Sequence, residues 1–195
     1  MAVVRLAFIA AVLVNFALVA VYRRKAQRGE RFSLKEEGVW LAIPLRLFGL
    51  AVLAYIVTYM VAPGVLAWSL ADVPAWLRWI GAVAALGLVP PLLSWAQRSL
   101  GRNVTTTVIT REHHELVTHG PYRFVRHPLY TLGMLLYGSL ALLIGSWFLG
   151  AMLAAGFGVV LLRLPKEEAM LVERFGDAYR EYMRVTPKFV PRLRH

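Results

Sequence analysis

The sequence predicts an all-α, polytopic membrane protein, and three observations carry that reading: the composition, a series of long apolar runs, and basic residues confined to one side of those runs. Of 195 residues, 58% are hydrophobic and 17% charged, and the mean hydropathy is +0.57. Soluble domains are about half apolar and about a quarter charged. A water-soluble core this apolar would leave large exposed patches, so lipid is the natural solvent. The formal net charge of +11 would suit nucleic acid. Lys and Arg nevertheless cluster between apolar runs and do not form a basic domain, so no nucleic-acid partner is expected. The absence of cysteine excludes disulfides, thiolate nucleophiles and Cys-ligated metals. Between Gly38 and Tyr122 the acidic residues are Asp72, Glu112 and Glu115 alone, which keeps carboxylates out of the apolar runs.

A hydrocarbon core about 30 Å thick needs roughly 20 apolar helical residues. Ala2 to Tyr22 meets that, interrupted by Arg5 and Asn15. Its lack of a basic leader and the basic cluster behind it read as a span, not a signal peptide. Trp40 to Ala62 follows, with Pro44 and Arg46 placing its first turns at the interface. Trp76 to Ala96 is the third, Arg78 snorkelling near its end and Pro90-Pro91 kinking it. Pro128 to Leu164 is too long for one span. Gly145-Ser146 divides it into two helices of about 17 residues, a tight hairpin whose Gly133, Gly138, Gly150, Ala154 and Gly158 permit close approach. The expectation is five spans, with residues 1–98 as a three-span membrane region and 99–195 as the functional core. No internal repeat or low-complexity tract is present.

Charge sets the orientation. Six basic residues follow the first span, five lie between Gln97 and His127, and eight lie from Arg163 onward, so 19 of 22 fall on one side. The positive-inside rule makes that side cytoplasmic, with the N-terminus outside and the C-terminus inside.

Two cytoplasmic segments are too rich in polar and aromatic groups to be plain connectors. The first runs from His113 to Tyr130 and contains His114, Leu116, Val117, His119, Gly120, Pro121, Tyr122, Arg123, Arg126, His127 and Pro128. Gly120-Pro121 is turn chemistry. Pro128 near a helix start puts Arg126 and His127 where exposed N–H groups favour an anion. The second segment is Arg163-Leu164-Pro165-Lys166-Glu167-Glu168. Arg163 and Glu167 share a helix face if Pro165 bends the helix without breaking it. The hairpin brings both segments to one interfacial pocket, with His and Arg for a carboxylate, Glu for an ammonium, and Tyr122 and Tyr130 for a ring or hydroxyl. Such a set suits a zwitterionic nucleotide such as S-adenosylmethionine. Simpler roles compete: Arg123 and Arg126 as headgroup anchors, Tyr122, Tyr130 and Tyr137 as an aromatic belt, and Glu167-Glu168 as helix-start carboxylates. The histidines lack a catalytic zinc spacing, so no metal is expected.

These residues resemble the isoprenylcysteine carboxyl methyltransferase family and the related phospholipid N-methyltransferases. The pattern is His114-x-Leu116-Val117-Thr118-x-Gly120-Pro121-Tyr122, then Arg126-His127-Pro128-x-Tyr130, an apolar hairpin, and Glu167-Glu168. It continues through Leu171, Phe175-Gly176, Tyr179, Tyr182 and Pro191, and covers the chain from about Ser99 onward. The resemblance implies an S-adenosylmethionine-dependent enzyme. His114, Leu116, Val117, Gly120, Tyr122, His127, Pro128, Tyr130, Glu167 and Glu168 would hold the cofactor. Arg163 and Glu167 would act at the reacting groups, Arg163 facing a lipid-like substrate that enters from the membrane.

Methyl transfer from a sulfonium mainly requires in-line alignment of the acceptor. A carboxylate acceptor, the favoured one, needs only a cation such as Arg163. An amine acceptor needs a base. A sterol-type reductase using NADPH is the other enzyme class with a related pocket, and a membrane scaffold that has lost turnover is the non-enzymatic one. Membrane lipids are the expected surroundings, and nothing calls for an obligate protein partner. The tail from Lys166 to Arg184, with apolar residues at helical spacing and a break at Gly176, predicts two short amphipathic helices roofing the pocket.

Overall fold

The computed structural model describes residues 2–26, 39–100 and 116–192. Among the described residues the regular elements are helices joined by short loops, with an isolated antiparallel bridge between Leu70 and Ser146. Helix α1 is Ala2–Ala26, α2 Val39–Val61, α3 Ala75–Val83, α4 Val89–Leu100, α5 Pro128–Ile144, α6 Trp147–Phe175 and α7 Asp177–Val185. Three helical stretches, counting α3 to α4 as one, are long and apolar enough to cross a membrane. The count becomes four if the sharply bent pair Arg46–Val61 and Pro63–Ser69 forms a single span. Helix α5, with 17 residues, falls short by length.

Helix α5 is the centre of the bundle, packed against α3, α6, α4 and α1. Phe8, Tyr55, Tyr59, Ala82, Leu140, Leu143, Ile144 and Leu149 join α1, α2, α3, α5 and α6 in one core. Leu132 joins Val89, Leu93 and Ala96 in a second core nearer the functional segments. The turn between α5 and α6 requires glycine, because Gly145 has φ +71°, a conformation that costs a residue with a Cβ. Ser146 then caps α6, its hydroxyl accepting from the Leu149 N–H at 3.0 Å. The Tyr55 hydroxyl lies 2.6 Å from Ser146 Oγ and 2.7 Å from Ser69 Oγ. That buried triad pins α2 and the Pro63–Ser69 turn to this end of the α5–α6 pair.

Pro90 and Pro91 are accommodated by a π turn, Ala84–Leu88, directly ahead of them, where the sequence suggests a simple kink. The N–H of Val89 bonds back to the Ala84 carbonyl, so the Ala85 carbonyl loses its ordinary helical donor. Asn15 of α1 replaces it: its buried side-chain amide donates to Ala85 O at 3.0 Å and to Ala11 O at 2.9 Å. A polar residue that looks out of place in the first apolar run is therefore the partner of a carbonyl released 70 residues later.

Two boundaries differ from the sequence reading. Helix α6 does not stop near Leu164; it continues through Pro165 to Phe175 as one helix of 29 residues. Consequently the first of the two expected tail helices is the end of α6, and only α7, after Gly176, is separate. Proline costs a helix one hydrogen bond and a clash in the preceding turn. Both are tolerable at 165, where packing on each side holds the rod: Leu164 is 1% and Glu168 6% exposed.

Candidate cofactor and acceptor site

The site forms where three segments meet: the Gly120–Tyr130 loop and helix start, the end of α6, and the chain from Tyr179 to Phe189. Gly120 has φ +62°, and a Cβ there would collide with Ser99 Oγ on α4. Glycine thus serves twice, in conformation and in space. It opens a short 3-10 turn, Gly120–Arg123, which buries Tyr122. The Tyr182 hydroxyl of α7 donates to the Tyr122 carbonyl at 2.6 Å. Burial pushes the phenols of Tyr122 and Tyr182 up, Tyr182 to about 12, so both stay protonated and Tyr182 can donate to the Tyr122 carbonyl. Arg123 is exposed and covers the Phe124 ring with its guanidinium at 4.4 Å.

Arg126 is the hub. It is 9% exposed, and its Nε and Nη2 donate to Glu168 Oε1 at 3.0 and 2.7 Å. Its Nη1 donates to the carbonyls of Met183 and Thr186 at 2.9 and 2.5 Å. The backbone N–H groups of Arg126 and His127 donate to the carbonyls of Pro187 and Lys188 at 2.8 and 3.0 Å. Thr131 Oγ1 adds a bond to Phe189 O at 2.9 Å. These contacts stitch the chain beyond α7 across the start of α5. Charge-assisted bonds with this geometry are the strong class.

The two glutamates differ. Glu168 is buried and held by Arg126, with His127 Nε2 3.3 Å from Oε1 and Lys188 Nζ 3.5 Å from Oε2. Glu167 is partly open, its side chain 23% exposed. It accepts the Tyr130 hydroxyl at 2.8 Å on Oε2, and its Oε1 lies 3.9 Å from His127 Nδ1. Burial of His127 holds its pKa below the usual 6.5, against the raising effect of Glu167 and Glu168 and with a smaller push down from Arg126. The imidazole is neutral at pH 7.

Because the folded pKa of His127 is depressed, the unfolded chain binds more protons below about pH 6.5, and stability falls as pH drops through that window. Thermal melts from pH 7.5 to 5.5 should show wild type losing stability relative to His127→Gln as pH decreases. A difference independent of pH would refute the neutral, buried assignment.

Of the residues singled out in the sequence, the structure brings together Tyr122, His127, Pro128, Tyr130, Glu167 and Glu168. Leu116, Val117 and Gly120 lie on the approach to the same turn, with Leu116 and Val117 half-buried. Arg163 sits one helical turn before Glu167 on α6 and is half-buried. His114 lies outside the described residues, as does His113. Among the described residues no group of three or more His, Asp or Glu is placed to hold a metal.

Sequence reasoning left Arg126 between headgroup anchor and site residue and did not foresee its partners. It overlooked Thr131 and Lys188 altogether. A lone arginine beside a helix-starting proline carries no signal of the carbonyls it will meet 57 and 60 residues later.

Residues 82–173 match the model of the isoprenylcysteine carboxyl methyltransferase (ICMT) family. The nickel-cobalt-cadmium resistance protein NccN of Alcaligenes xylosoxydans xylosoxydans is 34% identical over 112 residues, 57% of this chain and 53% of NccN. Protein-S-isoprenylcysteine O-methyltransferase B of Arabidopsis thaliana is 37% identical over 100 residues, 47% of this chain and 48% of the plant protein. The chain thus spans about half the length of these curated relatives. The solved eukaryotic intramembrane Ras methyltransferase ICMT superimposes with a TM-score of 0.56 at 23% identity, covering 89% of this chain and 60% of that one, a likeness of fold. The turn at Gly120, the Arg126–Tyr130 helix start and the Glu167-Glu168 pair all fall inside the segment, residues 82–173, that matches the isoprenylcysteine carboxyl methyltransferase family model.

Proposed function

We propose that this protein is a multi-pass membrane methyltransferase that uses S-adenosylmethionine to methylate a lipid-like or prenylated acceptor, a carboxylate in preference, at the cytoplasmic interface. The observation that carries the reading is the unequal state of the two glutamates. Glu168 and Arg126 neutralise one another and hold the tail in place, while Glu167 presents a partly open carboxylate beside Tyr130 and a neutral His127. That donor set fits the ammonium of an amino-acid cofactor, since the contacts of Glu167 among the described residues are the Tyr130 hydroxyl and, at 3.9 Å, the neutral His127.

When bound, the cofactor's sulfonium supplies an activated methyl group. Glu167 and Tyr130 orient it, and Gly120, Leu116 and Val117 form the approach on the other side. Arg163, one turn deeper on the same rod, sets an acceptor carboxylate facing the methyl without protonating it. The segment carrying Thr186 to Phe189 closes the cytoplasmic side and keeps water from the reacting pair. An amine acceptor is the second reading, favoured by one observation: neutral His127 is a base of suitable kind within reach of Glu167.

Binding of S-adenosylmethionine, S-adenosylhomocysteine and NADPH to the purified protein distinguishes the enzyme classes. The expected result is binding of the first two and not of NADPH. Preference for NADPH would turn the reading to a sterol-type reductase.

In this reading residues 1–98 form a three-span region and 99–195 the functional core, with five crossings, α5 and α6 forming the last two as a tight hairpin. The N-terminus is outside, and α7 lies with the site in the cytoplasm. A cysteine introduced at Asp72 should react with an impermeant reagent from outside, and one at Arg180 only after the membrane is opened. Both residues are exposed in the structure. Labelling of the two from the same side would overturn the five-span topology.

A further inference from the structure

Tyr179 is 2% exposed, yet its hydroxyl has no hydrogen-bond partner among the described residues. It begins the face of α7 that meets the site. Tyr182 on that face reaches the Tyr122 carbonyl, and Met183 and Thr186 offer theirs to Arg126. The Tyr179 ring packs edge-on against Tyr182 at 5.8 Å, so its position is set by packing and not by its own hydroxyl. The next turn of that face, through Tyr182 and Met183, touches the Tyr122 and Arg126 segments of the site, which puts the buried phenol on the site side of α7. A buried hydroxyl left unpaired is costly, and here the groups around it already have partners. Arg126 in particular directs its bonds to Glu168 and to two carbonyls. An amino-acid ligand with its ammonium on Glu167 would therefore find Arg126 occupied when its carboxylate sought a donor.

Resting on the function proposed above, we infer that the Tyr179 hydroxyl is the donor that holds the carboxylate of the cofactor's amino-acid moiety, and so distinguishes the intact cofactor from nucleosides lacking that moiety. Glu167 and Tyr179 together would read the zwitterion, one at each charge.

The test is Tyr179→Phe in the full chain, titrated with S-adenosylhomocysteine and with 5′-methylthioadenosine, which keeps the nucleoside and thioether but lacks the amino acid. Loss of one hydrogen bond should weaken S-adenosylhomocysteine binding by roughly five- to tenfold. Affinity for 5′-methylthioadenosine should not change, and thermal stability without ligand should equal or exceed that of wild type. Equal affinity of variant and wild type for S-adenosylhomocysteine overturns the inference, as does an equal loss for both ligands, which would make Tyr179 a packing residue. Should the variant fail to fold, 3-fluorotyrosine incorporated at position 179 keeps the hydroxyl. Its fluorine resonance should shift with S-adenosylhomocysteine and not with 5′-methylthioadenosine, and identical responses to the two overturn the inference. Failure of wild type to bind either ligand refutes the methyltransferase reading itself, separately from the role of Tyr179.

Discussion

Replacing Arg126 with alanine is expected to destabilise the protein by about 3–5 kcal/mol, the cost of removing one partner from a buried ion pair. Glu168 would be left buried and charged with only the longer contacts to His127 and Lys188, and the carbonyls of Met183 and Thr186 would each lose a donor. The damage should be local in its first appearance. Limited proteolysis should cut after α7 in the variant under conditions that spare wild type, because the tail then keeps its two backbone bonds and the Thr131 bond to the start of α5 but loses the Arg126 anchors at Met183 and Thr186. Arg126→Lys should recover only part of the loss, since an ammonium cannot serve Glu168 and two carbonyls in the same planar fork. A loss below about 1 kcal/mol in Arg126→Ala, the range of exposed pairs, would show that the pair does not hold the tail.

The second large effect separates cofactor from acceptor. Glu167→Gln preserves size and the bond from Tyr130 while removing charge. A charge-assisted hydrogen bond contributes about 1.5–3 kcal/mol, so affinity for S-adenosylmethionine should fall roughly ten- to a hundredfold. Arg163→Ala should leave that affinity nearly unchanged and abolish most methyl transfer. Titration and turnover measured in the same detergent decide the matter. If Arg163→Ala loses cofactor binding as severely as Glu167→Gln while remaining folded, the division of roles is wrong. If neither variant changes binding, Glu167 serves only the helix.

Much of this arrangement was legible in the sequence, for identifiable reasons. Apolar run length located the helices, because burial in lipid or core is written into composition over windows of about 20 residues. Gly145-Ser146 and Gly120-Pro121 marked turns because each needs a backbone few residues tolerate, and both glycines have positive φ. The spacing of Arg163 and Glu167 on one face held because α6 continues through Pro165. What escaped were features set by distant partners. Whether Pro165 ends a helix depends on packing on both sides of it, which local propensity does not register. The π turn before Pro90 is visible only with Asn15 in view. Arg126 and Arg123 are both arginines in a basic loop, but one is buried against Glu168 and the other covers an exposed ring. Charge counting gave them the same role, and tertiary contacts alone separate them.

The uninterrupted course of α6 has a consequence for depth. Trp147 and Glu167 are twenty residues apart on one helix, about 30 Å at a rise of about 1.5 Å per residue, which is about the thickness of a bilayer's hydrocarbon core. In the topology proposed above, with the tryptophan anchored at one surface, the rod would work as a ruler that sets Glu167 at the opposite surface and Arg163 about 6 Å inside it. On the proposed function, the depth at which an acceptor meets the cofactor would then be fixed against the membrane's own thickness. Lengthening the surrounding acyl chains would tilt the rod or draw Glu167 below the headgroups, which would couple the proposed turnover to the lipids the protein sits in.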